Sequence, residues 1–223
     1  MIAALAAVAT DSSSPRYALF DEAGTFINLQ LLAMTRDFNG KVCLITGAAS
    51  GIGRATAQKM ASLGAMLALS DINHPGLEET KKLCGGAHLT ELLDVGSSSA
   101  CNKHVDTVVS KLGRLDYVFN CAGVNPTAYA LTDTTDEYYD KLMNTNLRGT
   151  YNVTRAAMPH LQAGASIVNT SSIMGVSAAS QMAIYCATKF GVVGFTKAMA
   201  MELGPRQVRV NAIAVSELPQ KCQ

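Results

Sequence analysis

The sequence predicts an α/β fold built on a doubly wound parallel sheet, and three observations carry that expectation. From Lys41 onward, apolar strand-like runs alternate with longer helical ones, the order that places helices on both faces of a parallel sheet. The first strand runs straight into a glycine-rich stretch, Thr46 to Gly53, and then into a helix. The 223 residues, 48% of them hydrophobic, suffice for one sizeable core and suit a single domain.

Taken in order, residues 1–36 stand apart. An alanine-rich start, a Ser12-Ser13-Ser14-Pro15 turn and a weakly periodic stretch to Met34 mark a poorly ordered N-terminal extension ahead of a single domain over 37–223. Strands are expected near 41–46, 65–70, 88–93, 115–120, 165–171 and 208–214. The run Ala165-Ser166-Ile167-Val168-Asn169-Thr170-Ser171 has the β-branched content of a buried strand. Helices fall between the strands, near 51–63, 76–84, 97–112, 136–161 and 185–203. About six parallel strands in the order 3-2-1-4-5-6 follow.

Composition excludes several classes of function. A formal charge of +1, with both signs interspersed, leaves no basic stripe for nucleic acid. The cysteines Cys43, Cys84, Cys101, Cys121, Cys186 and Cys222 form no CxxC pair, and the histidines have no partner at ligand spacing. They predict reduced, mostly buried thiols, no metal and a cytoplasmic setting. No apolar run approaches the roughly 20 residues that span a membrane, and the apolar start lacks the basic region of a signal peptide. The patterns Asn152-Val153-Thr154 and Asn169-Thr170-Ser171 match glycosylation acceptors but fall in core elements.

The loop after the first strand points to a dinucleotide. Gly47, Gly51 and Gly53 permit a tight turn and clear side chains from where the backbone, with Thr46, Ser50 and Ile52, must approach a pyrophosphate. The helix that follows aims its N–H groups and positive dipole end at those phosphates, the arrangement of a Rossmann-like sheet. Asp71 ends the second strand, where an acid accepts hydrogen bonds from an adenosine ribose and repels the extra phosphate of NADP, so NAD is favoured over NADP. Arg54 is the one nearby cation, either reaching a phosphate or solvated on the helix surface. Asp94-Val95 closes the third strand, its carboxylate meeting either an adenine amino group or a helix N-cap or turn. At the end of the fourth strand, Asn120-Cys121-Ala122-Gly123 offers small residues over which a cofactor can pass, though Ala-Gly is also an ordinary strand exit.

Ser172, Tyr185 and Lys189 form an acid/base set. Tyr185 precedes Lys189 by four residues, so both lie on one helix face, one turn apart. A free tyrosine has a pKa of about 10, and a nearby cation lowers it. Tyr185 so tuned exchanges a proton with an alcohol or carbonyl oxygen. Ser172 ends the fifth strand, on the sheet edge where ligands bind.

These motifs, in this order, give the chain its resemblance to the single-domain short-chain dehydrogenases/reductases, over roughly Met34 to Ala214. The family's TGxxxGxG is Thr46 to Gly53, its NNAG-like motif is Asn120 to Gly123 with cysteine in second place, and its YxxxK is Tyr185 to Lys189. The resemblance implies that Tyr185 is the general acid/base, that Ser172 hydrogen-bonds the substrate oxygen, and that Lys189 binds the nicotinamide ribose and lowers the Tyr185 pKa. It implies that Asn146, rather than its neighbour Asn144, holds a water in the proton relay. The family's sixth strand leads into a Pro-Gly pair, a substrate lid and a last strand; here Val215 to Gln223 departs, and the lid and that last strand are expected to be missing. The resemblance further implies homo-oligomers through helices 136–161 and 185–203.

Two functions are therefore expected as alternatives: hydride transfer between NAD and an uncharged or apolar secondary alcohol or ketone, or a truncated or spliced nucleotide-binding product that pairs with a full-length sibling. An epimerase or dehydratase of the family's extended branch fits the glycine spacing less well. The small, mostly uncharged stretch from Ile173 to Ile184 favours an apolar substrate.

Overall fold

The computed structural model describes residues 38–215, together with three short strands before them. Those strands, Ala6–Ala7, Tyr17–Phe20 and Phe26–Ile27, pair antiparallel in sequence as part of a unit of their own, Met1–Phe38. The rest of the expected extension over 1–36, Cys222 and the expected departure after Val215 lie outside the described residues.

The main unit holds six parallel strands: β1 (Val42–Thr46), β2 (Met66–Asp71), β3 (Leu89–Leu92), β4 (Tyr117–Asn120), β5 (Ser166–Ser172) and β6 (Arg209–Val215). Their spatial order is β3-β2-β1-β4-β5-β6, the expected doubly wound sheet, whose chain reverses direction of growth between β1 and β4. Register aligns Ser70, Thr46, Asn120, Asn169 and Ala212 in one row, so everything one residue further on lies at the carboxyl edge: Asp71, Gly47, Cys121 and Thr170.

Alternation along the strands separates two helix layers. Val42, Leu44, Val118, Ile167 and Val210 join one core with Cys101, Val105 and Val108 of α3 (Ser98–Leu112), Val153 and Ala157 of α5 (Gly149–Ala157), and Met199 and Leu203 of α6 (Ala183–Leu203). The intervening Cys43, Ile45, Leu67 and Leu69 are buried on the other face, where α1 (Gly51–Ser62) and α2 (His74–Cys84) pack. Side-chain caps set the starts of three helices. Asn73, Ser97 and Thr135 accept hydrogen bonds from Gly76, Ala100 and Tyr138 N–H at the starts of α2, α3 and α4 (Asp136–Leu142). Gly113 ends α3 in the left-handed region, with φ 76°.

One expected element is corrected. The helix expected over 136–161 is four consecutive segments, because a π-helical segment, Met143–Arg148, separates α4 from α5 and a 3₁₀ turn, Met158–His160, ends it. Asn146 lies inside the π segment, where the widened turn lets its side chain leave the helix for the β4 loop.

Burial also has a consequence for alkaline stability. The Cys43 thiol is pushed up to about 12, first by burial and second by the Asp116 carboxylate. The folded chain thus keeps a proton that the unfolded chain gives up from about pH 9, and the associated stability is full below that point and is lost as pH rises towards 12. Going from pH 9 to about 10.5 should cost about 2 kcal/mol through this group, at about 1.4 kcal/mol per pH unit. Urea denaturation of Cys43→Ala at both pH values is expected to show a decline smaller than the parent's by about that amount.

Candidate active site

The glycine loop closes on itself and on its neighbour strand. Gly47 has φ 68° and Gly51 φ 50°, both in the region that favours glycine. A Cβ at Gly47 would lie 2.7 Å from the Ala122 nitrogen, and one at Gly53 would overlap the Gly47 carbonyl oxygen. Thr46 Oγ1 accepts from the Cys121 and Ala122 N–H groups at 3.1 Å each, tying β1 to the loop after β4. Ser50, the N-cap of α1, makes no side-chain cap, and Ser50 and Ile52 are exposed. A loop that only glycine permits, opening a helix whose first turn has no side-chain cap, fits the pyrophosphate of a dinucleotide.

Other expected contacts sort differently. The Asp71 carboxylate accepts from Ala49 N–H through Oδ2 and from Asn73 N–H through Oδ1, at 3.0 Å each, which holds it between the loop and α2. Arg54 takes neither of its expected places: its guanidinium turns onto α2, 2.7 Å from Glu79 Oε2 and 3.0 Å from Thr80 Oγ1. Asp94 Oδ1 accepts from Gly96 N–H at 2.8 Å, a turn contact, while Ser97 caps α3. Val95 is a core side chain packed on Gly149, and its carbonyl accepts from Asn152 Nδ2 at 2.9 Å. Asn120 donates to Thr154 Oγ1 at 3.1 Å and Asn169 Oδ1 at 2.8 Å, so its amide belongs to the layer between the sheet and α5 and α6.

The acid/base residues converge past the ends of β4 and β5. Lys189 is buried, and its Nζ donates to the Thr170 carbonyl at 2.9 Å and lies 5.5 Å from the centre of the Tyr185 ring. Burial lowers the Lys189 pKa to about 8, with Cys121 acting weakly the other way. Asn146, also buried, grips Val124 in both directions: Oδ1 accepts its N–H at 2.7 Å and Nδ2 donates to its carbonyl at 3.2 Å. Gly123 sits between them. A Cβ there would stand 3.2 Å from Asn146 Oδ1 and 3.8 Å from Lys189 Nζ.

Ser172 begins the turn Ile173–Gly175, its Oγ accepting from Met174 N–H at 3.1 Å. That turn is pressed to α6 because Ser171 Oγ donates to the Lys189 carbonyl at 3.0 Å and Gly175 leaves no room there for a Cβ. The backbone bond from Lys189 to Thr170 and the support from Ser171 and Gly175 carried no spacing signal in the sequence. Thr188 Oγ1, which donates to the Tyr185 carbonyl at 2.7 Å and receives Asn146 Nδ2 at 3.5 Å, was likewise missed. Cys121, the departure from the family motif, is half-buried; burial raises its thiol pKa, and the Thr170 hydroxyl and the Lys189 charge draw it back.

A glycine loop and helix start that face a tyrosine–lysine pair across the carboxyl edge of one sheet define a nicotinamide-dependent oxidoreductase. The chain belongs to the short chain dehydrogenase family, whose model matches residues 41–218. It is 39% identical over 197 residues to the 3-oxoacyl-[acyl-carrier-protein] reductase FabG of Thermotoga maritima, covering 82% of this chain and 80% of that one. It is also 39% identical over 192 residues to D-threitol dehydrogenase of Mycolicibacterium smegmatis, covering 83% and 74%. Among solved structures, carveol dehydrogenase from Mycobacterium avium in complex with NAD superposes with a TM-score of 0.79 at 34% identity, over 83% of this chain and 74% of that one. Among the described residues, no helix is long and apolar enough to cross a membrane.

Proposed function

We propose that the chain transfers hydride between NAD, in preference to NADP, and a small uncharged or apolar secondary alcohol or ketone, with Tyr185 as general acid/base. The observation that carries this reading is the convergence of Tyr185, the buried Lys189 and Asn146 around Gly123 at the end of the dinucleotide edge. Bound there, the nicotinamide supplies or accepts the hydride. The protein manages the proton. Below about pH 8 Lys189 keeps its charge and favours the Tyr185 phenolate, which takes the proton of an alcohol that Ser172 orients by hydrogen bonding. In reduction the phenol returns that proton to the carbonyl oxygen. Asn146 holds Val124, and with it the loop after β4 that carries Gly123 beside Lys189.

Preference for NAD rests on Asp71, whose negative charge repels a ribose 2′-phosphate, and on the pairing of the nearby Arg54 with Glu79. Asp71→Ala is expected to raise the NADP to NAD ratio of kcat/KM roughly tenfold, about 1.4 kcal/mol of discrimination. The test of the function is the purified chain assayed with NAD and a panel of secondary alcohols, and with NADH and the matching ketones. No change in NADH absorbance with any of them would sink the proposal.

A dimer through residues 136–161 and 185–203 is supported by the exposed Tyr139, Tyr151, Phe190 and Met201. The second reading is a nucleotide-binding chain with little turnover of its own that pairs with a full-length sibling. Hydride transfer at ordinary rates removes it.

A further inference from the structure

We propose that Arg54 and Thr80 are positioning residues for the dinucleotide loop, which makes α2 a working part of the cofactor site although it stands behind it. The inference rests on the reading of residues 46–53 as the pyrophosphate loop. Both peptide groups in the middle of that loop are held from outside it. The Ala48 N–H donates to the Ser70 carbonyl at 3.1 Å, and the Ala49 N–H to Asp71 Oδ2 at 3.0 Å. Their carbonyls are held by side chains: Thr80 Oγ1 lies 2.8 Å from the Ala48 oxygen, and Arg54 Nη2 donates to the Ala49 oxygen.

The two side chains are locked to each other and to α2. Arg54 Nε donates to Thr80 Oγ1 at 3.0 Å, and its Nη2 reaches the Gly76 carbonyl at 3.4 Å and Glu79 Oε2 at 2.7 Å. Thr80 is buried, so its hydroxyl has no water to replace these partners. Gly76 completes the contact, because a Cβ there would come within 2.8 Å of the Ala49 carbonyl oxygen.

The physical consequence concerns which dipole faces the cofactor. A peptide that turns its oxygen toward a pyrophosphate repels it, whereas one whose oxygen is anchored toward α2 cannot rotate into that position. Arg54 and Thr80 thereby keep the loop in its binding form before the cofactor arrives, which lowers the ordering cost of binding. Without the anchors the loop samples rotated peptides, and NAD binds only the competent fraction.

The experiment compares Arg54→Ala, Thr80→Val and the conservative Thr80→Ser with the unsubstituted chain. NAD affinity is measured by calorimetry, with KM for NAD, KM for the alcohol, kcat and the melting temperature without cofactor. Arg54→Ala and Thr80→Val are expected to weaken NAD binding about tenfold and to raise KM for NAD in step, while kcat and KM for the alcohol change less than about threefold. Thr80→Ser, which keeps the hydroxyl, should return NAD affinity to within about twofold of the unsubstituted chain. A merely structural role predicts a lower melting temperature and a lower kcat with KM for NAD unmoved, and that result overturns the inference. If the unsubstituted chain binds no NAD, the parent reading falls and this one with it. If it binds and the variants bind equally well, only this inference falls.

Discussion

Tyr185→Phe is expected to lower kcat by about 10³-fold while the affinity for NAD stays within about threefold, because general acid/base transfer by a positioned side chain contributes on that scale. The substitution removes one oxygen and leaves the ring beside Lys189, so the geometry of α6 is kept. The glycine loop is a separate construction, built from β1, α1 and α2. Measuring turnover and NAD binding on the same preparation separates the two. Retained turnover would mean that the proton travels by a group other than Tyr185, and lost binding would mean that the tyrosine is part of the nucleotide site alone. Lys189 sharpens the expectation through pH. Its pKa of about 8 means that raising pH through that value removes the cation that favours the phenolate, so replacing Lys189 by Met should abolish that part of the pH dependence of kcat.

Gly53→Ala is expected to weaken NAD binding about a hundredfold, equivalent to about 2.7 kcal/mol. A Cβ at this position overlaps the Gly47 carbonyl oxygen and comes within 2.8 Å of its carbonyl carbon, both backbone atoms with no rotamer to yield. Either the loop lifts off or the first turn of α1 moves out, and both displace the N–H groups that should meet the pyrophosphate. The same strain should lower stability by about 2 kcal/mol, the usual range for overpacking a tight contact. Gly51→Ala is the comparison. No atom lies within 4 Å of a Cβ there, and its cost without cofactor comes only from φ 50°, about 1 kcal/mol. Denaturation of both variants without cofactor, followed by NAD titration, checks the ordering; equal effects would show that clash is not what glycine avoids at position 53.

The strand pattern was legible because the central strands bury both faces in a parallel sheet, which leaves short continuous apolar runs that spacing alone reveals. The glycine loop was legible because a positive φ at Gly47 and Gly51 and close backbone contact at Gly53 admit few other residues. The side-chain partners were not. Arg54 reads from sequence as a cation one residue past the glycines, and only the packing of α1 against α2 brings it to Glu79 and Thr80, 25 and 26 positions away. Asn120 and Asn169 read as polar residues near strand ends. Their register in β4 and β5, and the helices above them, join them to Thr154 and Thr196 in one buried chain of hydrogen bonds. The π segment at Met143–Arg148 interrupts a sequence whose helical periodicity shows no break, since one widened turn changes the hydrogen-bond partner without changing residue preference.

By itself the sequence determined the family and the order of elements, and it put forward Ser172, Tyr185 and Lys189 as the acid/base set, because those depend on local preference and on spacings within a single strand, turn or helix. Tertiary structure alone decided how those groups are aimed. Lys189 is held by a carbonyl of β5, Asn146 by a peptide after β4, and the glycine loop by side chains of α1 and α2. The bonds of Lys189, Asn146 and Thr80 join positions 19, 22 and 32 apart in the chain, and form only when the sheet has closed its register and the helices have packed on it. Local spacing encodes which chemistry is carried; the direction of a hydrogen bond across the fold is a property of the packing.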